Sequence, residues 1–157
     1  MKIPYERKIF IDEVIEDLYK EYYITDFNDL RQIAEDKDIN TIESNKVIVP
    51  SAIRLLNDKK YILTRNYPFR DMRDYFYSHE LGHILLDHEP SMSKKQKESE
   101  VEYFQKKLGV PEPTLFKIDL SVLHTIITRP ITTVKYISST DYKWNYCEKL
   151  INDFETQ

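Results

Sequence analysis

Apolar residues in the first quarter of the chain recur at helical spacing. Ile11, Val14, Ile15, Leu18 and Tyr22 fall three or four positions apart, which predicts an amphipathic helix over 8–23. Asp26 is placed to cap a second, shorter helix that turns Phe27, Leu30, Ile33 and Ala34 inward. The period then changes. Segments 46–49 (KVIV), 52–56 (AIRLL) and 60–64 (KYILT) are short and apolar, and Pro50 and the turn-forming pair Asn57-Asp58 separate them. That pattern predicts a small sheet, since branched Val and Ile side chains fit a pleated surface.

A third helix is expected to begin after Tyr67-Pro68 and to end near Glu89-Pro90. The fourth is the best punctuated. Ser93 and Gln96 make a capping-box pattern, Gly109 sits where a terminal glycine belongs, and Pro111 follows, so 94–108 reads as helix. Beyond it, 114–128 reads as a helix that stops at Pro130, and 131–137 (ITTVKYI) fits strand or helix equally. A terminal amphipathic helix is expected over 141–154, with Trp144, Leu150, Ile151 and Phe154 on its apolar face. Helices, a small sheet, then more helices indicate the α+β class. The expected organisation is one domain over 1–157: N-terminal helices to 45, strands and functional helices over 46–128, and a C-terminal extension from 129.

Composition narrows the function classes. A chain of 157 residues, 41% hydrophobic and 32% charged, can bury a core without disulfides. Cys147 is the only cysteine, so an intrachain disulfide and a Cys-x-x-Cys zinc site are both excluded. It is expected to be a small core residue. No apolar run approaches the ~20 residues of a membrane helix, and MKIPYERKIF lacks the apolar stretch of a secretory signal. A cytoplasmic location is therefore expected, with no membrane contact. The net charge is −4, and residues 1–44 hold six Lys/Arg against twelve Asp/Glu. An acidic head repels phosphate, so direct nucleic-acid binding is not expected. With only Gly82 and Gly109 present, a glycine-rich phosphate loop cannot be built.

Residues 79–83 read His-Glu-Leu-Gly-His within the expected third helix. Four residues advance about 400° around a helix, so His79 and His83 share one face about a turn apart. Both imidazoles can reach one Zn²⁺ while Glu80 leans toward a water held there, positioned to take its proton during attack on a carbonyl. Tyr75, Phe76 and Leu86 share that face, so two solvated histidines are disfavoured. An open catalytic site needs a third protein ligand. Asp87, His88 and Glu89 are judged unable to fold back onto the metal, and His88 is assigned to the helix-end carbonyls. On the fourth helix, with Glu100 set at 0°, Phe104, Leu108 and Val101 fall at about 40°, 80° and 100°, while Glu98 and Glu102 fall at about 160° and 200°. Glu100 is thus closest to the buried stripe and is chosen as third ligand; Glu98 and Glu102 read as a solvated acidic face. Gly82 costs ~1 kcal/mol in a helix relative to alanine, so close approach of a neighbouring element is expected there.

YSHELGHILLDH followed by ESEVEYFQKKLGVP resembles the core of the ImmA/IrrE-type zinc metallopeptidases. The family pattern is a HELGH helix, then a helix with Glu-Ala-x-x-Phe-Ala closing on Leu-Leu-Met-Pro. Matched residue by residue, His79, Glu80 and His83 take the ligand, base and ligand positions, and Glu100 falls on the glutamate of the Glu-Ala pair. Phe104 and Pro111 fall on its phenylalanine and proline. The likeness spans roughly residues 8–128, with departures at Val101, at Leu108-Gly109-Val110 and at Tyr77-Ser78. It implies a minimal zincin-like fold, mostly helical, with a three-stranded sheet on the active-site helix. It also implies a zinc-dependent endopeptidase that cleaves or inactivates a helix-turn-helix repressor of a prophage or mobile element. With no spare length for a DNA-binding or sensory domain, a separate repressor is the expected substrate.

His124, among Val122, Leu123, Ile126 and Ile127, is a candidate oxyanion donor or a structural histidine. Arg70 and Arg73 are candidates for a substrate carboxylate or a solvated helix start. The strand at 60–64 is expected to pair with an extended substrate. Two rival readings remain: a non-hydrolytic anti-repressor or toxin–antitoxin partner that sequesters a repressor, and a structural zinc domain. The latter is disfavoured by the lack of a fourth ligand near 79–100.

Overall fold

Local chemistry sets most element boundaries. The computed structural model describes residues 2–47, 49–113 and 140–156, the last segment with side chains from 148 onward. In chain order these form α1 (Tyr5–Glu21), α2 (Phe27–Asp36), β1 (Ile39–Glu43), β2 (Ser51–Leu56), β3 (Lys59–Thr64), α3 (Arg70–Leu85), α4 (Lys94–Leu108) and α5 (Thr140–Glu155). Asp26 caps α2 in a full capping box, with the Asp29 carboxylate reaching back to the Asp26 amide. Ser93 Oγ accepts from the Gln96 amide to open α4, and Gly109 closes it at φ 82°, a conformation that strains any residue with a Cβ. Asn57 and Asp58, at φ 52° and 62°, make the two-residue turn between β2 and β3. Two positive φ values in succession match the twist of an antiparallel hairpin.

The sheet has the order β1-β3-β2, with β1 parallel and β2 antiparallel to β3. It is a small α+β architecture, mostly helical, as the sequence pattern indicates. One strand lies elsewhere than expected. The described residues of segment 46–49 form no strand: Asn45 and Lys46 turn, and Val47 is buried in the loop that follows. The third strand is INTIE, inside the acidic segment read as helical, in register from Ile39↔Lys60 to Glu43↔Thr64. A parallel pair joins residues some twenty positions apart, so no local turn signal announces it. Placing β3 in the centre also corrects the expected substrate strand. Both edges of 60–64 are occupied, and β2 carries a free edge among the described residues.

Alternation along β3 separates two cores. Ile62 faces a cluster with Ile11, Ile15 and Leu18 of α1, Leu30 and Ile33 of α2, Tyr77 and Leu81 of α3, and Val101, Phe104 and Leu108 of α4. Tyr61 and Leu63 face Ile42, Val47, and Leu150 and Ile151 of α5, where Tyr61 OH donates to Glu155 at 2.6 Å. The segments 114–128 and 131–137, with His124, and the Trp144 and Cys147 side chains lie outside the described residues. Among the described residues, no helix is long and apolar enough to cross a membrane.

Helices α3 and α4 run antiparallel in close contact. Gln105 Nε2 donates to Tyr75 O and Ser78 Oγ at 2.7 and 2.9 Å, which satisfies a polar pair in the interface. One turn on, Gly82 explains itself: a Cβ there would lie 3.0 Å from Phe104 Cδ1 and 3.5 Å from Val101 Cγ1. The expected close neighbour is therefore α4. Gly82→Ala is predicted to lower stability by about 1 kcal/mol. Overpacking costs ~1–3 kcal/mol and the gain in helix propensity returns only ~1. A urea midpoint that rises instead would mean that Phe104 rotates away freely.

Candidate metal centre

The helical repeat of α3 puts His79 and His83 on one face, and their rings meet edge to face with centroids 4.8 Å apart. The two Nε2 atoms lie 3.2 Å from each other. A carboxylate from α4 completes the group: Glu98 Oε2 is 3.2 Å from His79 Nε2, and Glu98 Oε1 is 3.4 Å from His83 Nε2. Ligand atoms ~2.0–2.1 Å from a tetrahedral zinc stand about 3.3–3.4 Å from one another. Each imidazole thus meets one oxygen of the Glu98 carboxylate at close to that spacing, a different oxygen in each case, and His79, His83 and Glu98, whose donor atoms lie within 4.8 Å of one another, can hold a metal ion. The Glu98 side chain is 45% exposed, so solvent reaches this face.

Glu98, not Glu100, is the carboxylate beside the imidazoles. Glu100 is indeed the buried one, at 0% exposure, but its oxygens are taken. Arg7 donates to Oε1 through Nε at 2.9 Å and Nη2 at 2.6 Å, and Gln96 donates to Oε2 at 2.9 Å. Burial alone would raise the Glu100 carboxyl; the hydrogen bonds from Arg7 and Gln96 outweigh it and hold the group below the usual carboxylate range. The helical wheel ranks residues by depth, whereas a site that admits water draws its ligand from the rim of a helix interface. A long side chain at the rim was the available signal.

The His88 assignment is also corrected. Asp87 takes a left-handed φ of 48° just beyond α3, which turns the chain back on itself. His88 then returns along the helix, its Nδ1 2.9 Å from His83 Nδ1 and its Nε2 3.4 Å from Glu100 Oε1. It faces the side of the His83 ring away from the donor triangle. Burial lowers both imidazoles, His83 to about 4, so His83 is neutral at pH 7 with a lone pair to give.

Glu80, next along α3, points to the sheet. Ser51 Oγ, at the start of β2, donates to Glu80 Oε1 at 2.8 Å and to the Phe76 carbonyl at 3.2 Å. Burial raises the Glu80 carboxyl, opposed by that hydrogen bond and by the nearby His79. A carboxylate kept partly desolvated is a stronger proton acceptor. Arg70 and Arg73 have structural partners. Arg70 donates to the Thr25 carbonyl, and Arg73 pairs with Glu43 at 2.7 Å and covers the Phe27 ring.

No protein-family model, curated protein or solved structure matches the chain.

Two outcomes check this geometry. Glu98→Ala should cut zinc affinity more than about 100-fold, beyond the 10–100-fold typical of groups that only support a ligand, while Glu100→Gln keeps stoichiometric zinc. The reverse ranking in metal analysis would restore Glu100 as ligand. The second outcome concerns the metal-free protein. His83 stays neutral to about pH 4 when folded and protonates near 6.5 when unfolded, so the unfolded state binds more protons in between. Stability should fall as pH drops through that window, and less steeply in His83→Gln; superimposable urea midpoints at pH 7 and pH 5 would contradict it.

Proposed function

We propose that the chain is a zinc-dependent endopeptidase, and that the His79, His83 and Glu98 group is its metal site. The observation that carries the reading is the donor triangle, open to solvent on one side, with a buried carboxylate on the adjacent residue of the same helix. Among the described residues the group holds three donors, which leaves a fourth position for water or substrate. A structural zinc site normally fills that position with cysteine or histidine. His88, the nearby candidate among the described residues, addresses the other side of His83.

Bound zinc would supply Lewis acidity, polarising a carbonyl and making a water acidic near neutral pH. Glu80 accepts the proton of the attacking water and passes it to the departing amine as the peptide bond breaks. Ser51 keeps the Glu80 carboxylate aimed along the start of β2. An extended substrate adds to the free edge of β2, whose first residue touches Glu80, so backbone pairing delivers a scissile carbonyl to the site.

The resemblance to ImmA/IrrE-type metallopeptidases supports a substrate class: a helix-turn-helix repressor of a prophage or mobile element, met in the cytoplasm. Glu80→Gln should retain zinc while repressor cleavage falls by at least about 100-fold, as expected when a general base is removed. Cleavage at the wild-type rate would dismiss Glu80 as base. Loss of repressor–DNA binding with the repressor intact on a gel, in wild type and variant alike, would favour sequestration without hydrolysis.

A further inference from the structure

The proposed chemistry leaves a buried polar chain unused. Arg7 on α1, Glu100 on α4 and His88 after α3 converge behind His83; the His88 side chain is 4% exposed and that of Glu100 is 0% exposed. We propose that His88 is a positioning residue, anchored by the Glu100–Arg7 pair, that fixes the ring and tautomer of His83 for metal binding through Nε2. This inference rests on the metal reading above.

The polarity of the chain is determined at every link. His83 directs Nε2 to the donor triangle, so in the metal-bound form its proton sits on Nδ1. That N–H meets His88 Nδ1 at 2.9 Å, which must therefore accept. The His88 proton is then on Nε2, 3.4 Å from Glu100 Oε1, an electrostatic contact with an anion rather than a formed hydrogen bond. Among the described residues this buried Nε2 makes no hydrogen bond, so the Glu100 carboxylate is the acceptor within its reach. Glu100 is held ionised by the two donors of Arg7. Arg7 Nη2 also donates to the Leu86 carbonyl at 3.0 Å, tying down the turn from which His88 springs. No link requires a proton where a lone pair is needed. Outer partners that hold a ligating imidazole in one tautomer are worth about 10–100-fold in metal affinity.

The consequence is structural as well as chemical. His83 is supported by α1, whose Arg7 is far from it in sequence, so the first helix belongs to the metal centre although it offers no ligand. A histidine used only to fill space would be replaceable by another ring of similar size. A histidine used for its two nitrogens would not.

The test measures zinc affinity by competition with a chromophoric chelator, on wild type, His88→Phe and His88→Gln, each checked for folding by circular dichroism without metal. His88→Phe should bind about 10–100-fold more weakly. His88→Gln keeps an acceptor for His83 and a donor for Glu100, and should recover most of the loss. His88→Phe binding within twofold of wild type overturns the proposal, as does an equal loss in both variants. Imidazole ¹⁵N shifts of the zinc-loaded wild type give an answer independent of variant folding: His83 protonated on Nδ1 and His88 on Nε2 support the chain, and His88 protonated on Nδ1 refutes it. A wild type that takes up no zinc refutes the metal reading itself, and this inference with it.

Discussion

The contact between α3 and α4 at Gly82 sets the geometry of everything else. With no Cβ at that point, Phe104 and Val101 press directly on the backbone of the histidine helix. Two antiparallel helices so closely apposed have little freedom to slide. Gln105 is brought to Tyr75 and Ser78 on one side of the contact, and Glu98 to His79 and His83 on the other. A larger residue at 82 would press on Phe104 and Val101, side chains of the same helix that carries Glu98.

The two glutamates of α4 show how tertiary surroundings divide chemically identical side chains. Glu100 is fully buried and spends its charge on Arg7, a pairing that costs desolvation and is repaid by the hydrogen bonds of Arg7 and Gln96. Glu98, two residues earlier, stays half in water and keeps its oxygens toward the imidazoles. The buried one supports and the exposed one is available. A single glutamate could not do both, because a ligand already neutralised by a guanidinium is a poor partner for a cation.

The sheet contributes through its edge. β2 is joined to β3 by a tight turn, and its first residue, Ser51, bonds both to the Glu80 carboxylate and to the backbone of α3. The Glu80 carboxylate, the start of the β2 edge and the histidine helix thus meet at one point.

By itself the sequence determined what depends on short separations. The rise and turn of a helix place His79 beside His83 whatever surrounds them, and Asp26, Ser93, Gly109 and the Asn57-Asp58 turn act within a few residues of themselves. The inward faces of α2 and α4, and the need for a close neighbour at Gly82, follow from the same local periodicity. Only the tertiary structure decided the rest. Pairing of INTIE with β3, the Arg7–Glu100 ion pair, the return of His88 beside His83 and the choice of Glu98 over Glu100 all join residues that no local rule relates. Burial along a helix is periodic and can be read from one chain segment. The direction of a side chain at the edge of a contact depends on the angle and depth at which the second segment arrives.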